Sequence, residues 1–304
     1  MLMRTEGIVT FVAVVESGSI SEAARRLRLS KSVVSERLAE LEKVLGVLLL
    51  QRTTRKLTLT ESGQAFLERA RRIIQEMEAA AEDISERRGE IAGPLRIAAP
   101  VTFGRMHLGP ALYPFLARHP KLELTLDIDD RRVDPISDGY DAVIRHGPLS
   151  ASRLIAWKLA TSRRMLTASA DYLSRFGTPH TLQDLEQHKG IFYTNRGIAD
   201  WRFQTASGNV IVRAKPGLAI NNGDMMRDAA IAGLGLALLP AFIAAPAIRD
   251  GLLQEVSVDH RPEPEFIFMA HPQGRKPPAK LRAMAEHLKT VFGNPPYWDP
   301  QAVT

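Results

Sequence analysis

The sequence predicts an α/β protein in which a helical N-terminal region and one long helix precede a larger domain of alternating strands and helices. Three observations support this prediction. Apolar residues recur at helical spacing through residues 4–45, and one uninterrupted helical pattern covers residues 60–88. After Pro94, short apolar runs alternate with helical patterns, and Gly or Pro stands at many of the boundaries.

Composition and charge narrow the class of protein. The chain has 304 residues, enough for two or three domains, and residues 1–58 hold ten Lys and Arg against six Glu, an excess that fits a polyanionic partner. It has no cysteine, which excludes disulfides, thiolate zinc sites and cysteine nucleophiles. We find no signal-peptide pattern and no apolar run of membrane-spanning length, so we expect a cytoplasmic protein without a membrane partner.

Residues 17–45 predict two short helices joined by a tight turn, packed under a first helix over residues 4–15. Ser19 and Glu22 have the spacing of a capping box, so a helix should begin there. Ser30 is the expected N-cap of the next helix. That helix carries a single apolar stripe at a helical period, formed by Val34, Leu38, Leu41 and Leu45.

In the helix that follows Ser30, the face opposite the apolar stripe is polar in the first turns. A short second helix with exposed polar N-terminal turns is how a helix-turn-helix reads the major groove of DNA. Glu36 could accept a hydrogen bond from cytosine, and Lys31 could donate one to guanine. The expected base-facing residues are Lys31, Ser32, Ser35 and Glu36, with Arg37 nearby. The alternative is a three-helix packing module with a solvated basic face.

A winged hairpin is predicted after this helix. Gly46 ends the helix, and the β-prone runs Val47–Leu50 and Lys56–Leu59 flank a basic tip. Arg52 and Arg55 would bind phosphate or enter a narrow minor groove, although Arg52 could equally tie the wing to the core.

The long helix should begin after Thr60 and run to about Arg88. Its apolar residues alternate between spacings of four and three, which is a heptad seam flanked by charged residues. This favours self-association through Phe66, Ala70, Ile73, Met77, Ala80 and Ile84. The alternative is a single amphipathic helix packed on its own chain.

Alternating elements after Pro94 predict an open parallel sheet in each of two α/β halves. A late return strand makes this a two-lobed, periplasmic-binding-protein-like domain with a cleft. Expected strands cover residues 94–100, 122–128, 141–146, 164–168, 191–194, 209–215, 218–221, 236–239 and 265–270, and expected helices cover 103–118, 133–139 and 277–292. We expect residues 294–304, rich in proline and polar residues, to be disordered or loosely packed.

Candidate ligand-binding residues follow from the rule that ligands bind beyond the carboxyl ends of strands in open α/β sheets. A helix N-terminus at residues 100–104 would suit a small anion. The candidates at these strand ends are Val101, Thr102, Phe103, Arg145, Tyr193, Trp201, Asn221 and Asn222. Each also has a structural interpretation: Thr102, Asn221 or Asn222 as a helix cap, and Trp201 as a core residue.

The chain resembles the LysR-type transcriptional regulators over its whole length except the last residues. The resemblance is carried by Phe11, Ser17-Gly18-Ser19, Ala23-Ala24, Leu27, Ser35, Leu41-Glu42, Leu45-Gly46, Leu49, Arg52 and Leu59-Thr60-x-x-Gly63. It implies a winged helix-turn-helix DNA-binding domain over 1–59, a linker and dimerisation helix over 60–90, and an effector-binding domain over 91–304. The first lobe would span about 93–162 and 267–293, and the second about 163–266.

The resemblance also implies partners. These are double-stranded promoter DNA, a second copy in a homodimer or homotetramer, RNA polymerase, and an effector between the lobes. The segments 93–105, 163–164 and 221–223 look like those of a subgroup that regulates aldehyde, organic-acid and aromatic metabolism, which implies a small organic acid or an aromatic compound.

Enzyme signals are weak in this sequence. Gly233-Leu234-Gly235 lacks the third glycine of a dinucleotide motif, and no metal-binding histidine spacing or nucleophile elbow occurs. We therefore expect no catalytic residues, no metal and no cofactor. Two alternatives stay open: a two-lobed solute-binding receptor, and a metabolic enzyme with a DNA-binding head.

Overall fold

The computed structural model describes residues 3–52, 57–87, 90–131, 133–136, 138–147, 154–196, 201–273 and 277–300. The chain forms two compact units, Met1–Glu90 and Ile91–Thr304. None of the helices in this described part combines the length and the apolar character that a membrane crossing requires.

Three helices form the N-terminal part of the first unit. They are α1 (Thr5–Ser17), α2 (Ile20–Leu27) and α3 (Lys31–Leu45), as the sequence predicts. The Ser19 hydroxyl accepts from the Glu22 N–H at 3.1 Å, and the Ser30 hydroxyl accepts from the Val33 N–H at 3.3 Å. Both predicted N-caps are confirmed. The helices bury a core that includes Phe11, Ala23, Val34, Leu38 and Leu41.

The first strand of the wing starts later than predicted. Strands β1 (Leu50–Arg52) and β2 (Leu57–Leu59) pair antiparallel, so the expected start at Val47 is wrong. Gly46 ends α3 in the left-handed conformation with φ 69°, and Val47 and Leu48 are exposed. The first strand starts late because the Glu42 carboxylate accepts from the N–H groups of Leu49 and Leu50, at 2.8 and 3.1 Å.

Helix α4 (Glu61–Arg87) completes the first unit. Its first turn is capped by Thr60, whose hydroxyl accepts from the Gly63 N–H at 2.9 Å. The same hydroxyl donates to the Leu48 carbonyl at 2.7 Å, which ties the start of α4 to the loop before the wing.

The second unit contains two large sheets and one small sheet. Its strands are β3 (Gly93–Ala99), β4 (Leu122–Ile128), β5 (Ala142–His146), β6 (Leu154–Ser162), β7 (Arg164–Ala168), β8 (Lys189–Tyr193), β9 (Arg202–Thr205), β10 (Gly208–Ile211), β11 (Lys215–Ile220), β12 (Leu236–Pro240), β13 (Gln254–Glu255), β14 (Arg261–Pro262) and β15 (Glu265–Pro272). The strand orders are β4-β3-β5-β15-β6, β11-β8-β12-β7-β13 and β10-β9-β14.

The helices of this unit flank the sheets. They are α5 (Val101–Phe103), α6 (Gly109–Arg118), α7 (Ala170–Phe176), α8 (Leu182–Leu185), α9 (Gly223–Ile231), α10 (Ala241–Arg249) and α11 (Ala279–Phe292). A π-helical segment, Gly104–Leu108, joins α5 to α6. One apolar core contains residues from both large sheets and from α5, α6, α9, α10 and α11.

Both large sheets are mixed, which corrects the expectation of parallel sheets. β3 pairs parallel with β4 and β5, whereas β15 pairs antiparallel with β5 and β6. In the other large sheet β12 is parallel to β8 and antiparallel to β7. Each sheet receives a strand from a chain crossing between the two halves, and such a strand can enter in either direction.

Several predicted elements differ in detail. The expected helix over 133–139 is instead a turn in its described residues, ended by Gly139 at φ 71°. Strands β6 and β9 were not predicted, and the expected strand over 209–215 ends at Ile211.

The expected loose C-terminal tail is wrong for its described part, residues 294–300. Trp298 and Asp299 are each only 7% exposed, and Trp298 belongs to the main core of the second unit. An indole side chain buries a large apolar surface, which compensates for the polar residues around it. Residues 301–304 lie outside the described residues.

Candidate functional site: a recognition helix and an interlobe cavity

The first turns of α3 present polar groups to solvent. Lys31, Ser32 and Glu36 are exposed and Ser35 is half-buried. The apolar stripe on the other face of the helix is buried. This arrangement leaves the N-terminal turns of α3 free to enter a groove while its other face is held by the core.

Arg37 lies on a different side of α3. It is half-buried and lines a shallow hollow together with Gly7 and Glu40. Positions 35 and 37 are about 200° apart around a helix, so Ser35 and Arg37 lie on opposite flanks of the exposed face.

The wing is described only in part. Arg52 pairs with Leu57 through its backbone. Arg55 and the side chain of Arg52 lie outside the described residues, so both assignments stay predictions.

The predicted seam of α4 divides into two parts. Ala70 is fully buried in the core of the first unit, and Phe66 packs on Phe11 with ring centroids 5.5 Å apart. Ile73 and Met77 are 36% and 48% exposed, and Ala80 is exposed as well. The Ile84 side chain lies outside the described residues. The start of the seam therefore stabilises its own unit, and Ile73, Met77 and Ala80 offer an apolar surface.

A cavity of about 110 Å³ lies between the two large sheets. It opens where β3, β5, β8 and β12 end, as expected for ligand sites in α/β sheets. Apolar side chains form most of the wall. They are Pro100, Phe103, Met226, Leu238, Leu239, Pro240, Phe242 and Ile243, and the polar groups come from Thr102, Asp130, His146, Arg164, Tyr193 and Arg196.

An ion cluster forms the polar side of the cavity. The Glu265 carboxylate, 8% exposed, accepts from Arg196 Nη2 at 2.9 Å and from Arg164 Nη1 at 3.4 Å. It also lies 3.1 Å from His146 Nε2. The Glu265 carboxylate therefore forms ion pairs with both arginines that line the cavity.

Burial lowers the pKa of His146 to about 3, against an opposing effect of Glu265. Burial by itself raises the pKa of Glu265, but its interactions with His146, Arg164 and Arg196 outweigh burial and lower that pKa to about 2. At neutral pH Glu265 is thus ionised and His146 is neutral, so the two guanidinium groups supply the positive charge.

Asp130 links both sides of the cavity mouth. Its Oδ1 accepts from the Val101 N–H at 3.0 Å, and its Oδ2 accepts from Asn222 Nδ2 at 3.0 Å. Its carbonyl oxygen accepts from Asn195 Nδ2 at 2.6 Å. The backbone donor that the sequence assigned to an anionic ligand at Val101 is therefore bonded to a carboxylate of the protein.

Three of the predicted effector-binding residues line the cavity: Thr102, Phe103 and Tyr193. Thr102 also donates to Asp224 at 3.1 Å, a contact that joins α5 to α9. Asn222 caps α9 by accepting from the Met225 N–H at 3.0 Å, and Asn221 beside it is exposed.

Two predicted residues face elsewhere. Arg145 donates to the Val133 carbonyl at 2.6 Å, because neighbouring strand residues point to opposite sides and His146 takes the cavity side. Trp201 is fully buried with Phe203 in a separate core, which agrees with the structural interpretation of this residue.

Asp130, Arg164 and Glu265 were not predicted from the sequence as residues of this site. One signal was available for two of them: Arg164 and Glu265 each stand at the start of an apolar strand, where a charged residue must be exposed or paired. Nothing in the sequence indicates that they pair with each other. Among the described residues, no group of three or more His, Asp or Glu is arranged to hold a metal ion.

Comparison with known proteins agrees with this architecture. Residues 5–64 match the family described as bacterial regulatory helix-turn-helix protein, lysR family, and residues 88–293 match the LysR substrate binding domain. An uncharacterized HTH-type transcriptional regulator of Haemophilus influenzae is 31% identical over 283 residues, which cover 93% of this chain and 98% of that protein. The regulator CrgA of Neisseria meningitidis serogroup C is 32% identical over 296 residues, covering 97% and 99%.

Solved structures show the same relationship. The structure of CrgA, a LysR-type transcriptional regulator, is 31% identical with a TM-score of 0.57 and covers 94% of this chain and 99% of its own. The Vibrio cholerae virulence activator AphB, a member of the LTTR family, is 26% identical with a TM-score of 0.58, covering 94% and 98%. The chain therefore belongs to the LysR family of transcriptional regulators, with a helix-turn-helix DNA-binding domain and an effector-binding domain.

Proposed function

We propose that this protein is a ligand-responsive regulator that reads promoter DNA through the first turns of α3 and binds an effector in the cavity. The observation that carries the proposal is the exposed polar N-terminal face of α3 on a helix whose opposite face is buried. No catalytic step is part of the proposal, since the relatives are named as regulators.

DNA recognition is assigned to Lys31, Ser32, Ser35 and Glu36, with the wing arginines on phosphate or in the minor groove. Side chains on the first turns of a recognition helix reach base edges, while backbone phosphates fix its register. Arg37, on the other flank of α3, is assigned a supporting contact rather than a base contact.

The proposed assembly is a homodimer or homotetramer formed through α4. The exposed apolar residues Ile73, Met77 and Ala80 support it, because an exposed seam at heptad spacing is best covered by another helix. Two copies would place two recognition helices on two half-sites of the promoter, where RNA polymerase is the further partner.

The cavity supports an aromatic compound more than a simple organic acid. Its walls are mostly apolar, and Glu265 already neutralises much of the charge of Arg164 and Arg196. A ring would gain from apolar burial, and the Tyr193 and Thr102 hydroxyls could orient a polar substituent. The effector would act only through its difference in affinity for two conformations of the protein.

The test is a footprint on the DNA upstream of the protein's own gene, across a salt series and with a panel of small aromatic compounds and carboxylates. Lys31→Ala should lower the ratio of specific to nonspecific affinity by about 5- to 100-fold. Lys43→Ala is the matched control, because Lys43 is also an exposed lysine on α3 but lies in its last turn. It should leave the ratio of specific to nonspecific affinity unchanged. Salt-sensitive binding without sequence preference would contradict the proposal.

A further inference from the structure

The segment 294–300 lies beyond the match to the LysR substrate binding domain, which ends at residue 293. It nevertheless packs into the core. Trp298 is 7% exposed, and its ring contacts Phe292 in α11 with centroids 5.0 Å apart. A backbone bond of 2.9 Å from Tyr297 to the Phe292 carbonyl fixes the turn that directs Trp298 inward.

Trp298 touches an aromatic residue from each half of the second unit. Phe103 follows β3 of one large sheet, and Phe242 follows β12 of the other. The Trp298 ring lies edge-on to both, with centroid distances of 5.8 and 6.4 Å. Phe103 and Phe242 also contact each other at 5.3 Å. Both phenylalanines line the cavity and Trp298 does not, so the indole lies behind the wall that they form.

Polar contacts hold the segment on both sides of the indole. The Tyr297 hydroxyl lies 2.7 Å from Nδ1 of His107, in the π-helical segment. The Asp299 carboxylate lies 3.7 Å from Arg163, which in turn pairs with Glu255 of β13 at 3.0 Å. The segment therefore follows α11 of one half and reaches, through Arg163, the sheet of the other.

We propose that Trp298 is a positioning residue for the effector cavity: it holds Phe103 and Phe242 against each other and thereby sets the relative placement of the two lobes. The importance of the cavity to regulation rests on the proposed function, but the geometric role does not. The Trp298 indole, packed against both lobes, limits their relative movement. A close-packed interior leaves no space into which the Phe103 or Phe242 ring can shift.

Removing the indole leaves a void next to both phenylalanines. Either ring can then shift into the void, and the lobes gain conformations that the parent protein excludes. Ligand affinity falls in proportion to the fraction of molecules that keep the binding-competent arrangement.

The experiment measures the distance between the lobes without any ligand. The chain has no cysteine, so introduced cysteines can be spin-labelled at chosen sites. Glu123→Cys labels β4 and Glu186→Cys labels the C-terminal end of α8, and both positions are exposed. Pulsed electron spin resonance on the full-length protein then gives the distribution of distances between the two labels. Trp298→Ala is the test variant. Trp157→Ala is the control: Trp157 is half-buried and its ring contacts that of His271 at 4.8 Å, but it does not line the cavity or bridge the lobes.

We expect Trp298→Ala to broaden or shift the distance distribution, whereas Trp157→Ala lowers the melting temperature and leaves the distribution in place. Trp298→Phe, which keeps a smaller ring, should give an intermediate distribution and carries the test if the alanine variant does not fold. A merely structural residue would move the melting temperature alone. Unchanged distributions in the folded Trp298 variants would overturn the proposal. DNA footprinting by the parent protein tests the proposed function separately, so the two can fail independently.

Discussion

The proposed recognition surface on α3 and the proposed effector cavity are built in opposite ways. The residues proposed to face the bases lie within positions 31–36 of one helix, and their placement depends on one cap and one buried stripe. The cavity draws its walls from residues 100–243, and its ion cluster extends to Glu265. On a surface formed by one helix, a substitution of one exposed side chain leaves the positions of the other side chains unchanged. In a cavity between two sheets, a substitution in the wall changes the packing of both sheets.

The largest expected effect tests this interdependence at Glu265. Glu265→Gln leaves the buried Arg164 and the half-buried Arg196 without their carboxylate and should destabilise the second unit by about 3–5 kcal/mol. Glu255→Gln is the control, because that glutamate pairs with Arg163 near the surface and should cost less than about 1 kcal/mol. Denaturant unfolding of both variants measures the difference. Equal losses in the free energy of unfolding would mean that the ion cluster at the cavity contributes no more to stability than the Arg163–Glu255 pair near the surface.

A second prediction concerns acid stability of the second unit. Burial lowers the pKa of His107 to about 4, partly offset by a hydrogen bond to the Phe242 backbone. Between about pH 6.5 and pH 4, His107 is therefore protonated in the unfolded chain but not in the folded protein. The free energy of unfolding is at its full value above this window and falls as the pH drops through it.

His107→Phe should remove about 3 kcal/mol of that pH dependence, as measured by denaturant unfolding at pH 7 and pH 4. It keeps an aromatic ring in the cluster. His119→Phe is a suitable control, since His119 is half-buried beside Phe115 at the end of α6, away from the cavity. A pH profile of His107→Phe identical to that of the parent protein would show that His107 is not the titrating group.

The smallest expected effect lies on the recognition helix. Glu36→Ala should cost roughly 1–3 kcal/mol in discrimination between promoter sequences, with little change in fold stability, because Glu36 is exposed and its helix is held by the other face. Glu40→Ala removes a glutamate one turn later that faces Arg4 at 3.7 Å, so it should leave discrimination unchanged. Competition binding with single-base variants of the promoter compares them, and equal losses would refute the assigned groove-facing side.

The local parts of the structure were predictable. Ser19, Ser30 and Thr60 all cap helices where the sequence places them, because a hydroxyl three residues before a free N–H acts within one turn. The start of the wing was misplaced because Glu42 takes backbone donors seven and eight residues away. No periodicity reveals such a contact.

The long-range parts were less predictable. Strand periodicity located β4 and β7 to the residue, but strand direction depends on how the chain crosses between the halves, so the mixed sheets were not foreseen. Thr102, Phe103 and Tyr193 could be named because strand ends are known ligand-binding positions. Asp130 could not, because its partners Val101 and Asn222 are 29 and 92 residues away.

The sequence by itself determined the helix-turn-helix, the course of the linker helix and the family, because caps, apolar stripes and turn residues act over a few neighbouring positions. Only the tertiary structure decided which polar groups share the cavity, that Trp201 belongs to a core, and that Trp298 packs behind the cavity wall. Those outcomes depend on contacts between residues far apart in the chain. A contact of this kind forms where two sheets and their helices bring side chains together, and it leaves no periodic signal in either segment alone.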